Sequence, residues 1–148
     1  MTAPASIATA LRNHAEGSYC LAAAAELLIA QPWLHRADFT SQFITLHHSP
    51  GSGQPVAVID WPAAVAAPGT GLPCSGGEQR MLRITASLAD GIPVDLRDTL
   101  TGLDDRNIQA LVKAILHASG RRRLPVALHG LAGNTADDGQ SGCYALRL

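Results

Sequence analysis

Four side chains near the middle of the chain have the chemistry of a metal or ligand site: His47, His48, Asp60 and Cys74. Imidazole nitrogens, thiolates and carboxylates are the groups that bind zinc in proteins. Adjacent histidines on a strand point to opposite faces, so one of them would join Asp60 across a hairpin, with Cys74 or His35 from a nearby loop. No C-x-x-C or H-x-x-x-H spacing accompanies them. A small metal- or ligand-binding enzyme is therefore one alternative function, although no catalytic residues with distinct roles and no cofactor are predicted.

The residues after Cys74 predict the start of a helix. Ser75 and Glu78 have the S-x-x-E spacing of a capping box. The amides of Gly76 and Gly77 would lie at the positive end of that helix, which makes Ser75, Gly76 and Gly77 a candidate anion site. We favour the simpler interpretation, in which the glycines serve a tight turn. An exposed Cys74 thiol would have a lowered pKa at this position, whereas burial, which we favour, would make it a small apolar side chain.

The run SGGEQR, residues 75–80, resembles the signature of ABC-type ATPases, which contacts the γ-phosphate of ATP bound to a partner subunit. The resemblance implies an ATPase fragment. However, the chain contains no G-x-x-x-x-G-K-[ST] loop, and its one lysine, Lys113, falls in the middle of a predicted helix. The extended run after residue 91 also includes Pro93, Asp95 and Arg97, where that family has an apolar strand. We therefore interpret the motif as a helix cap.

A run of three arginines, Arg121, Arg122 and Arg123, follows the last long predicted helix. Positive charge at a helix C-terminus is favourable on its own, so a solvated run is the simpler interpretation. A nucleic-acid-associated accessory protein that uses these arginines is a second alternative function. The net charge of -1 gives no general attraction to nucleic acid, and no helix-turn-helix pattern accompanies the run.

The composition predicts a single globular domain over residues 1–148, because 47% of the residues are hydrophobic and 16% are charged. Cys20, Cys74 and Cys143 are an odd number of widely spaced cysteines, which indicates reduced thiols and a cytoplasmic location. The N-terminus does not have the pattern of a secretory signal. The longest apolar run is interrupted by Glu26 and is shorter than the roughly 20 residues that span a bilayer, so no membrane partner is expected.

The periodicity and the helix caps predict an α+β fold, with N-terminal helices, a small antiparallel sheet and two long C-terminal helices packed on it. In the two long helices, the predicted buried positions are Met81, Leu82, Thr85, Leu88 and Ala89, and then Ile108, Leu111, Val112, Ile115 and Leu116. The predicted elements are helices at 4–15, 18–31, 61–67, 75–91 and 104–120, a short helical piece from 95, strands at 42–48 and 55–60, and strand-like runs at 125–130 and 143–148.

Residues 72–120 resemble a pattern found in small uncharacterised proteins of high-GC actinobacteria. The resemblance implies a bacterial protein, but it supplies no activity and no catalytic or binding residue. Because no reacting group of residues can be assembled, the favoured hypothesis is a non-enzymatic interaction or regulatory protein. It would act through its surface or as a homodimer that buries a sheet edge or a helix face, with a protein partner or a second copy as the binding partner.

Overall fold

The computed structural model describes residues 3–121, which form a mixed helix and sheet fold. The predicted α+β class is confirmed, and the strand-like runs at 125–130 and 143–148 lie outside the described residues. The elements are α1 (Pro4–His14), α2 (Tyr19–Ile29), a 3₁₀ turn (Pro32–His35), α3 (Ala37–Phe43), β1 (Ile44–His48), β2 (Pro55–Ile59), α4 (Trp61–Thr70), α5 (Gly76–Asp90), α6 (Leu96–Leu100) and α7 (Asp105–Ala118).

The predicted hairpin is present, and β1 pairs antiparallel with β2 in a register that runs from Ile44 opposite Ile59 to His48 opposite Pro55. Helix α1 packs on β2. The side chains of Ala57 and Ile59 are buried, whereas most of β1 is exposed. This half-covered pair of strands is the sheet of the described part of the chain.

Helix α3 was not predicted, and the boundaries of β1 and α4 differ from the predicted ones. The strand predicted from residue 42 begins at 44, because α3 continues through Phe43. Phe39 and Phe43 are four residues apart, so a helix places both rings on one side, where Phe39 lies between Phe43 and the ring of Trp33. Helix α4 also continues through Pro68 to Thr70, and Gly71, which has a φ of 122°, caps its C-terminus.

Helix α2 is the central element, because α1, α5 and α7 all pack against it. Ser18 caps its N-terminus and accepts a hydrogen bond from the Leu21 amide, as predicted. One face of α2 contributes Ala25 and Leu28 to a core that also includes α1, β2 and Leu82 of α5. The other face contributes to a second core, which consists of Ala23, Leu27, Met81, Ile84, Leu111 and Ala114.

Helix α5 has the capping box that the sequence predicts. The Ser75 hydroxyl accepts from the Glu78 amide at 3.2 Å, and the Glu78 carboxylate accepts from the Ser75 amide at 2.7 Å. Gly91 ends the helix with a left-handed φ of 69°. The predicted buried positions Met81 and Thr85 are fully enclosed, and the Thr85 hydroxyl donates to the Met81 carbonyl.

No helix within residues 3–121 has both the length and the apolar character needed to cross a bilayer.

Candidate functional site

Helix α7 begins and ends where the sequence predicts, but its buried face differs from the predicted one. The Asp104 carboxylate accepts a hydrogen bond from the Asn107 amide at 2.8 Å and caps the first turn. Leu111 and Ala114 are buried against α2. The α7 residues that pack against α2 are therefore mostly small.

A second apolar face of α7 is exposed. Ile108, Val112 and Ile115 have exposed fractions of 37%, 37% and 53%. Their i, i+4, i+7 spacing places them in one row along the helix, roughly 100° around the axis from the buried face. We call these three residues the α7 stripe. The prediction that they are buried with Leu111 is wrong for the described structure, because α2 contacts the neighbouring face.

The periodic arrangement of the α7 stripe distinguishes it from ordinary exposed apolar residues. Single exposed leucines are normal on a protein surface, whereas a contiguous apolar row on a helix is typical of a contact surface. The short helix α6, which directly precedes α7 in the chain, exposes Leu96 and Leu100 as well. This end of the described chain therefore has most of its large exposed aliphatic side chains.

The structure does not bring together the four residues predicted as a metal or ligand site. His47 and His48 are exposed on β1. Asp60 lies opposite Phe43, to whose carbonyl its amide donates at 3.0 Å, so it is about 13 Å along the strand from His47. The Asp60 carboxylate accepts from the Ala63 amide and caps α4. No group of three His, Cys, Asp or Glu side chains within residues 3–121 is arranged to hold a metal ion.

Cys74 is partly buried against the larger core beside Leu72. Burial raises the pKa of the Cys74 thiol, and the nearby Glu78 carboxylate raises it further, while the Arg36 guanidinium opposes both. A raised pKa reduces the thiolate fraction at neutral pH and therefore the nucleophilicity of the thiol. The position of Cys74 before a helix N-terminus therefore does not lower the pKa of its thiol.

The candidate anion residues are at the start of α5. Ser75 and Gly77 line an open cavity of about 680 Å³, together with His35 and Arg106. The Ser75 amide already donates to the Glu78 carboxylate, which places negative charge at this helix end. The capping box therefore competes with an external anion for the same position.

Of the three candidate nucleic-acid-binding arginines, Arg121 is described, and Arg122 and Arg123 lie outside the described residues. The Arg121 amide donates to the Leu116 carbonyl at 2.8 Å, which closes the C-terminal turn of α7. Arg121 lines a surface pocket with Tyr19 and His117. The Tyr19 side chain is 65% exposed, and its ring meets the His117 ring edge to face at 6.5 Å.

A groove between α2 and α7, which the sequence did not predict, has a volume of about 370 Å³. Arg106, Lys113 and His117 line it from α7, and Glu26 lines it from α2. Glu26 accepts two hydrogen bonds from Arg12, at 2.6 and 3.1 Å, and this pairing holds the pKa of Glu26 below its usual range. The i, i+7, i+11 spacing of the α7 residues was visible in the sequence, but the opposite wall was not.

Comparisons with known proteins gave no family model, no curated protein and no solved structure that matches this chain.

Proposed function

We propose that this chain is a non-enzymatic interaction protein that associates with a second copy of itself through the α7 stripe. The observation that supports the proposal is the exposed row of Ile108, Val112 and Ile115 on a helix whose other apolar face is already packed. Removing these side chains from water would contribute about 1 kcal/mol each to association. Such a contact is small, so we expect a reversible dimer.

An antiparallel arrangement of the two α7 helices is favourable, because it opposes their helix dipoles. A twofold axis near Val112 produces this arrangement. In this arrangement Ile108 of one copy packs beside Ile115 of the other, which gives the self-complementary contact of a twofold dimer.

The distribution of polar groups favours an interaction protein over an enzyme. Asp60 caps a helix far from His47, and the Cys74 thiol has a raised pKa. Neither arrangement places a nucleophile beside a base, which is what covalent catalysis requires.

Sedimentation velocity of the full chain over a range of concentrations tests the proposal. We expect the wild-type protein to shift from monomer to dimer as concentration rises, and Val112→Asp to remain monomeric, because a carboxylate at the centre of the contact would be buried without a partner. Gln109→Asp is the matched control: it adds the same charge to an exposed position of α7 outside the stripe. We expect this control to dimerise like the wild type.

A wild-type protein that remains monomeric at all concentrations, or a dimer that Val112→Asp leaves intact, would overturn self-association through this surface.

A further inference from the structure

The groove between α2 and α7 contains both apolar and positively charged side chains, whereas the α7 stripe is entirely apolar. Its floor consists of small and apolar side chains, of which Ala30 and Ala110 are accessible to solvent, whereas Ala23 and Leu27 are buried. Arg106 and Lys113 stand along one wall, and both side chains are exposed. The groove therefore combines an apolar surface with a row of positive charge.

The positive charge in the groove is not cancelled by acidic neighbours among the described residues. Glu26 is the acidic side chain that lines the groove, and Arg12 already pairs with it through two hydrogen bonds. Arg106 and Lys113 form no ion pair with any other residue of the described range. Two cationic groups thus lie beside an apolar floor, and both can still donate hydrogen bonds to an added anion.

The geometry allows both cations to reach one anion. Arg106 and Lys113 are seven residues apart on α7, which separates them by about 10 Å along the helix axis. Both side chains are long and flexible enough to converge above Ala110, which lies between them on the same wall. One end of the groove is held in place by the Gln31 side chain, which donates to Asn107 at 3.0 Å and ties the end of α2 to the start of α7.

We propose that this groove binds an aromatic organic anion. Arg106 and Lys113 bind its carboxylate or phosphate group, and its flat ring rests on the alanine floor. The volume of about 370 Å³ is at the lower end of the range for small-ligand pockets, about 300–1,000 Å³. The site is on a different face of α7 from the α7 stripe, so it does not depend on self-association.

Isothermal titration calorimetry with 1-naphthyl phosphate and with 1-naphthoate on the full chain tests the site and separates the two acidic groups. We expect saturable one-site binding of both anions, and the ratio of their affinities shows whether the cations prefer a phosphate or a carboxylate. Arg106→Gln and Lys113→Gln should each weaken binding about tenfold, because each removes one charged hydrogen bond. Each of these residues is exposed, so the variants should keep the wild-type circular dichroism and Tm.

Two controls make the result decisive. Arg83→Gln removes the same charge from an exposed position on α5, away from the groove, and should bind like the wild type. The neutral 1-naphthol should bind at least tenfold more weakly than either anion. Three results would each overturn the proposal. The first is equal binding of 1-naphthol, and the second is unchanged affinity in both Arg106→Gln and Lys113→Gln. The third is loss of binding in Val112→Asp while Lys113→Gln binds like the wild type.

Discussion

Helices α5 and α7 are both amphipathic and both properly capped, yet they are used differently. The apolar row of α5 is enclosed, since Met81, Leu82 and Thr85 are almost inaccessible to solvent. The most apolar row of α7 remains in water, and the helix instead packs through Leu111 and alanines. The difference shows that an apolar helix face is buried within the fold only where a neighbouring element covers it.

The neighbours of the two helices explain this difference. Helix α5 lies between α2 and α4, so two elements enclose its apolar row. Helix α7 packs mainly on α2 and has few contacts with α5. Within residues 3–121, α7 has one principal neighbour, so it buries one face and exposes the adjacent one.

The largest expected effect is the difference between a truncation in α5 and one in α7. Leu82→Ala should lower the free energy of unfolding by about 2–5 kcal/mol, because it leaves a cavity in an enclosed site. Val112→Ala should lower it by less than about 1 kcal/mol in dilute protein, because Val112 is already exposed in the monomer. Urea unfolding at low concentration measures both values. Equal losses would mean that the α7 stripe is buried within one chain.

The N-terminal cap of α5 should contribute less to the free energy of unfolding than the buried side chains of the helix. Ser75→Ala removes the acceptor for the Glu78 amide and should cost about 1 kcal/mol in urea unfolding. Ser75→Asn restores a capping side chain and should recover most of that loss. If Ser75→Asn is as unstable as Ser75→Ala, the capping box does not stabilise α5, and the contrast with α7 rests on packing alone.

The smallest effect is expected at the edge of the groove beside α7. Arg12→Gln should cost less than about 1 kcal/mol at neutral pH, because Arg12 and Glu26 are both about half exposed and screened by water. The pKa of Glu26 is lowered in the folded state, so this contribution is present above the ordinary carboxylate pKa and is lost as pH falls through the lowered value. Urea unfolding as a function of pH should show the two proteins converging in acid. A difference that persists or grows in acid would contradict this ion pair.

The sequence predicted the parts of the fold that local signals define. Ser18, Ser75, Asp60 and Gly91 mark helix ends through their own hydrogen bonds or backbone conformation, and these ends were found. Helix α3 was not predicted, and in it Phe39 packs between Phe43 and Trp33, a contact that a local sequence pattern does not show. A contact between aromatic rings can override the β preference of a short apolar run.

The candidate site was less predictable, because it depends on which elements meet. The residues of the α7 stripe were identified as apolar, but their exposure follows from the position of α2. The groove requires α2 and α7 together, and Gln31 and Asn107, which link them, are 76 residues apart in the chain. No local sequence pattern predicts that two elements so far apart in the chain pack together. His47, Asp60 and Cys74 had suitable chemistry, and the hairpin register separated the first two.

Site-specific cross-linking tests most directly whether the α7 stripe pairs with itself. Val112→Cys is made in a full chain whose natural cysteines are replaced (Cys20→Ser, Cys74→Ala, Cys143→Ser) and treated with a short bis-maleimide. Because two packed helices lie about 8–10 Å apart, residues on a twofold axis are within reach of such a reagent. We expect efficient covalent dimer from Val112→Cys and little from Gln109→Cys on the neighbouring face. No dimer from Val112→Cys, or equal dimer from both positions, would contradict the account.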